Sequence, residues 1–224
     1  MSESVRIAFV HTGAVVIAPV MALAGELMPG TTTVNYLDDK IVADLGDPDR
    51  VGSVPDRLHD LVAAARRGGA HVVMLTCSSI SEHAGSLTED LGIPVYRIDE
   101  AMADVAAATG PRIAVIATLP TTCEPTTRLI RERAELIGAN PDIRSEVVEG
   151  AFAAVSTGDR ETHDRLVVAA IERAAKDADV VVLAQASMAS AADAANVAIP
   201  VLSSLRPGIE RLAGLIAGVS QRAR

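Results

Sequence analysis

Tryptophan is absent from this 224-residue chain, and aromatic residues make up only 2% of it. A core without large rings has to be built from Ala, Val, Ile and Leu, which suits helices packed on buried parallel strands. Cysteine is scarce as well. Two residues at unrelated spacing, Cys77 and Cys123, form neither a disulfide framework nor a zinc motif. No set of His, Asp or Glu has metal-ligand spacing, so no metal is expected. Basic charge is in deficit, with 20 Lys and Arg against 29 Asp and Glu and a net charge of −9. That balance argues against a nucleic-acid partner, because phosphate contacts need a clustered basic surface. Every apolar run is broken by Gly, Pro or charge before the roughly 18 residues a membrane span requires, so no membrane partner is expected. The opening Met1-Ser-Glu-Ser-Val-Arg6 has neither the basic start nor the apolar run of a signal peptide, and a reducing cytoplasm is the expected location. There is no G-x-x-x-x-G-K-[ST], no G-x-G-x-x-G after a strand and no G-x-S-x-G elbow. Phosphoryl transfer from ATP, hydride transfer and Ser-His-Asp hydrolysis lose their usual signatures with them.

What the chain does have is a duplication. Arg6-Ile-Ala-Phe-Val-His-Thr12 is answered by Arg112-Ile-Ala-Val-Ile-Ala-Thr118. Ala70-His-Val-Val-Met-Leu-Thr-Cys-Ser-Ser-Ile80 is answered by Ala178-Asp-Val-Val-Val-Leu-Ala-Gln-Ala-Ser-Met188, and Gly92-Ile-Pro-Val95 by Ala198-Ile-Pro-Val201. Short aliphatic runs alternate with helical patterns in both halves, the signature of βα units in a parallel sheet. Strands are expected at 5–11, 32–37, 71–76 and 94–98, and again at 112–117, 144–149, 179–184 and 200–203. Helices are expected from Pro19 to Gly30 and over 55–67, 100–108, 122–137, 160–176 and 207–218, with Asp99 and Thr122 as N-caps. The fold class is therefore α/β, in two pseudo-symmetric lobes, each a parallel four-stranded sheet flanked by helices. The lobes are assigned to 1–108 and 109–206, with the last helix, 207–224, packing back on the first and a ligand cleft between them.

Ligands in open α/β sheets bind outside the C-terminal ends of the strands. Four turns qualify: His11-Thr12-Gly13, Thr76-Cys77-Ser78-Ser79, Thr118 to Thr122, and Gln185-Ala-Ser187. Cys77 follows a buried strand and precedes a helix, where the dipole and free N–H groups favour a thiolate. It is the expected nucleophile or proton-transfer base. Cys123 is read as a first-turn helix residue whose neighbour Glu124 disfavours a second anion, and packing under the loop is its alternative. Ser78, Ser79, Thr118, Thr121, Thr122 and Ser187 place hydroxyls beside helix-start amides, a setting for carboxylate or phosphate oxygens. Each alone is more often a helix cap, so only their convergence has weight. His11, Thr12, Asn35 and Tyr36 complete the list of side chains that could touch a substrate.

These residues, together with the Ile113-Ala-Val-Ile-Ala-Thr118 strand and its Thr-rich turn, resemble the aspartate/glutamate/hydantoin racemase superfamily, which also holds maleate isomerase and arylmalonate decarboxylase. The resemblance covers nearly the whole chain. It implies chemistry without a cofactor, in which two cysteines flank the substrate and exchange its α-proton, with Cys77 as the first and Thr118 among the carboxylate contacts. Where the family pattern carries the second cysteine this chain has Gln185, or Ala186 if the turns slip by one. Neither can shuttle a proton. Expected, therefore, is an isomerase or racemase-type enzyme working on a small carboxylate or carbonyl compound through one thiolate, with Cys123 or Gln185 as the second group. A decarboxylase or other lyase, and a non-catalytic binder of the same fold, are the alternatives. A homo-oligomer is left open.

Overall fold

The computed structural model describes residues 4–222, with side chains to Gly218. Contacts divide the chain into two units, one running to Ile98 and resuming at Leu205, the other spanning Asp99–Ser204.

In the first unit the strands are β1 (Arg6–His11), β2 (Thr32–Leu37), β3 (Val72–Leu75) and β4 (Val95–Arg97), paired in parallel in the order β2-β1-β3-β4. The helices are α1 (Ile17–Leu27), α2 (Ile41–Asp44), α3 (Val54–Arg67) and α4 (Ala84–Leu91). Strand alternation decides which side chains meet which helix. Ala8, Val10, Val73 and Leu75 point to one face and close a core with Val54, Leu58 and Val62 of α3 and Leu87 and Leu91 of α4. Ile7, Phe9 and Met74 point to the other face. Burial of each large aliphatic side chain stabilises the fold by about 1.5–3 kcal/mol, which replaces what aromatic residues usually supply.

The second unit repeats this plan. It contains α5 (Glu100–Thr109), β5 (Arg112–Ala117), α6 (Pro120–Leu136), β6 (Asp142–Val147), α7 (Ala151–Ser156), α8 (Arg160–Ala174), β7 (Val180–Leu183), α9 (Ala189–Ala194) and β8 (Val201–Leu202). Its parallel order, β6-β5-β7-β8, is that of the first unit shifted by four strands. Ile113, Val115, Val180 and Val182 face α5 and α6, while Ala114, Ile116, Val181 and Leu183 face α7, α8 and α9. The expected fold class is thus found, with two parallel four-stranded sheets each flanked by helices.

The boundary falls at Asp99, before α5, rather than at residue 109. The reason is packing: Met102, Ala103 and Ala106 of α5 join the α6 core, and Arg133 of α6 pairs with both Asp104 and Glu100. The last helix, α10 (Leu205–Arg222), belongs to the first unit, where it lies against α1 and Arg206 grips Glu26 at 3.0 Å. Three local expectations are corrected. The sixth strand starts at Asp142, not 144, because it runs in register with β5 from Arg112↔Asp142. The helix expected from Thr122 begins at Pro120, with Leu119 as N-cap and Pro125 inside it. Asp99 precedes α5 without capping it through its side chain.

Candidate active site

In the first unit the strand ends carry a buried polar chain. His11, the last residue of β1, is fully buried. Its Nε2 faces Asn35 Oδ1 at 2.8 Å and its Nδ1 faces Thr76 Oγ1 at 2.8 Å. Burial holds the imidazole pKa below its ordinary value, with the Asn35 bond opposing that shift. A carboxamide oxygen only accepts, so Nε2 carries a proton toward Asn35, while the Thr76 hydroxyl that stands against Nδ1 also donates to the Val10 carbonyl at 3.0 Å. Asn35 is fixed in turn by Nδ2 donating to Met21 Sδ at 3.3 Å. His11 and Thr12, expected to meet a substrate, are both buried at this strand end, and both ring nitrogens of His11 face the protein's own polar groups, which braces the strand ends. Tyr36 is likewise engaged, its hydroxyl donating to the Ala64 carbonyl.

Thr76 hands this bracing directly to Cys77. The thiol is half-buried, two residues beyond β3. It does not head an α-helix as the sequence suggested: a turn over 78–80 and a 3-10 turn, Ser81–His83, separate it from α4. Its carbonyl accepts from Ile80 N at 3.2 Å and from Ser81 Oγ at 3.0 Å, which closes the turn, and its side chain packs partly buried against the first unit's core. Ser78 and Ser79 follow, both buried and both hydrogen-bonded.

In the second unit, Gln185 occupies the place equivalent to Cys77, two residues beyond β7. Its Oε1 accepts from the backbone N–H of Thr118 at 2.6 Å and from the Thr118 hydroxyl at 2.9 Å. The turn behind it is held by Met188 N on the Gln185 carbonyl at 3.1 Å and by Arg160 on the Ser187 carbonyl at 2.7 Å. Ser190 Oγ donates to Asp164 at 3.0 Å and completes the clasp. Ser187 and Thr121 are half-buried, and Thr122 is buried in the first turn of α6. Cys123 is elsewhere: it points into the α6 core with Val115, Ala117 and Leu129. Burial pushes its thiol up, against hydrogen bonds with Ser145 and Thr127, so it is a packing residue of this unit.

Sequence reasoning placed Thr76 in a candidate turn without giving it a role, and missed the Arg160–Asp164 clasp. A hydroxyl residue immediately after an apolar strand and before a cysteine was the available signal for Thr76. The clasp had none, because it joins residues of α8 to a turn 27 positions away. A cavity of about 340 Å³ in this unit lies beside the C-terminal end of α8, lined by Asp142, Arg144, Glu146 and Arg173. Those arginines are already paired with carboxylates, Arg144 with Asp142 and Arg173 with Glu146, and the cavity includes none of the strand-end residues named above. Among the described residues no cluster of three metal-ligating side chains occurs, and no helix is long and apolar enough to cross a membrane.

A model of the family described as Asp/Glu/Hydantoin racemase matches residues 13–212. The chain belongs to that family. Solved structures share the fold. Glutamate racemase isoform RacE1 of Bacillus anthracis superposes with a TM-score of 0.75 at 16% identity, covering 97% of this chain and 83% of its own. Allantoin racemase of Klebsiella pneumoniae gives 0.71 at 20% identity, covering 96% and 88%. Arylmalonate decarboxylase gives 0.58 at 21% identity, covering 93% and 92%. Direct sequence comparison with curated proteins found no match.

Proposed function

We propose that this family member is a cofactor-independent isomerase or racemase-type enzyme that acts on a small carboxylate through one thiolate, that of Cys77. The observation that supports this reading is the pair of equivalent strand ends: a half-buried thiol after β3 and a carboxamide after β7. A thiolate can remove a proton next to a carboxyl group, leaving an enediolate, and return it as the thiol. It can also add to an activated double bond. The C–S bond then forms as the π electrons move onto the carboxylate, the single bond rotates, and reversal expels the thiolate. Both routes build negative charge on carboxylate oxygens, which hydroxyl and amide donors stabilise. Ser78 and Ser79, which follow Cys77 in the first unit, are the donors proposed for that role.

One observation favours a second reading. Gln185 can neither give nor take a proton, so exchange on two faces lacks its partner. A decarboxylase needs only one face: carbon dioxide leaves, and the Cys77 thiol protonates the enediolate. The two readings separate in deuterium oxide. Incubation with aspartate, glutamate, hydantoin and an arylmalonate as probes, followed by NMR, is expected to give α-deuteration with an unchanged carbon count. Release of carbon dioxide from the arylmalonate alone would replace the first reading with the second.

A further inference from the structure

We infer that Gln185 is a fixed hydrogen-bond donor to the ligand, its Nε2 holding an acceptor oxygen of a bound carboxylate. The orientation of the amide follows from its partner. The Thr118 backbone N–H can only donate, so the Gln185 atom 2.6 Å from it is the oxygen. With Oε1 turned onto Thr118 by two bonds, Nε2 is turned the opposite way across the planar amide. It makes no hydrogen bond with any described residue, and the side chain is only partly buried.

The backbone beneath it is equally settled. Met188 N, Arg160 and the Ser190–Asp164 bond hold the turn on which Gln185 stands. Two N–H bonds therefore project from a locked side chain at the carboxyl end of a parallel sheet, the region where such folds take ligands. A donor already held in place loses little freedom on binding, which is the advantage of pre-organisation. Its chemistry also sets selectivity. The amide stays neutral across the working pH range and offers donors, so it suits a carboxylate or carbonyl oxygen and has nothing to exchange with a C–H bond.

This inference rests on the carboxylate reading above but not on the role of the thiol. The test is calorimetric titration with malonate, an unreactive dicarboxylate, of the wild type, Gln185→Ala, Gln185→Asn and Gln185→Glu, each checked by circular dichroism for an intact fold. Loss of a hydrogen bond to a charged group should weaken binding about ten-fold or more in Gln185→Ala. Gln185→Glu, which has no donor and adds a negative charge, should weaken it further, and Gln185→Asn should recover part of it. Unchanged or tighter binding by Gln185→Ala would overturn the inference, since Oε1 would then be a stand-in that the ligand displaces. A wild type that binds no malonate overturns it too. The same series in a Cys77→Ala background keeps the two claims apart: the Gln185 dependence should persist there, whereas normal turnover by Cys77→Ala would end the thiol reading alone.

Discussion

Gln185 Oε1 accepts from both the backbone N–H and the hydroxyl of Thr118, at the strand end that corresponds to Cys77 in the first unit. The same topology thus ends in a thiol in one unit and in a tethered amide in the other. A single reactive thiol is proposed on the strength of that difference more than of the shared fold.

The two thiols should respond very differently to alkylation. Cys77 is half-buried at a turn, whereas Cys123 is buried in the α6 core with its pKa raised by burial. Burial disfavours both access to Cys123 and its thiolate form, and Cys77 is the more accessible of the two. Treatment of the native protein with iodoacetamide, read by intact mass and peptide mapping, should add one carboxamidomethyl group at Cys77. The second should appear at Cys123 only after unfolding. Equal rates would show that the α6 core opens readily.

Stability should fall on the acid side through His11. Its folded pKa lies below the ordinary value of about 6.5, so on acidification the unfolded chain takes up this proton before the folded one does. The stabilisation is present above pH 6.5 and is lost as pH falls through the folded pKa, at no more than about 1.4 kcal/mol per pH unit. His11→Gln keeps a polar side chain but removes this titration. Thermal melts from pH 8 to pH 5 should show a shallower acid slope for the variant, together with a lower melting temperature at pH 8 because two buried bonds are disturbed.

Two glycines of α10 should behave in opposite ways. A Cβ on Gly208 would collide with the carbonyl and side chain of Ile98, just after β4, while a Cβ on Gly214 would meet nothing within 4 Å. Gly208→Ala should cost about 1–3 kcal/mol through overpacking. Gly214→Ala, on an exposed part of the helix, should be neutral or stabilise by up to about 1 kcal/mol. Urea unfolding midpoints measure both.

Much of this architecture was legible because the repeat and the aliphatic runs report the same periodicity. Val180-Val-Val-Leu183 is buried on both faces and reads as a central parallel strand from composition alone. The edge strand β6 read less well, since Asp142, Arg144, Ser145 and Glu146 are exposed and carry no apolar alternation. Pro125 lies inside α6, and the helix continues through it, held by a core that includes Cys123, Leu129 and Ile130. At the site, Cys77 and Gln185 stood out by their aligned positions in the two repeats. The burial of His11 did not, because only tertiary packing brings Asn35 and Thr76 to its ring.

The claim that Cys77 carries the chemistry is tested most directly by its removal. Whichever probe the wild type converts in deuterium oxide, the rate should be compared with that of folded Cys77→Ala by NMR. Proton transfer by a placed side chain contributes about 10²- to 10⁴-fold, so the variant should fall by at least that factor. A Cys77→Ala protein that keeps the wild-type rate would contradict the account.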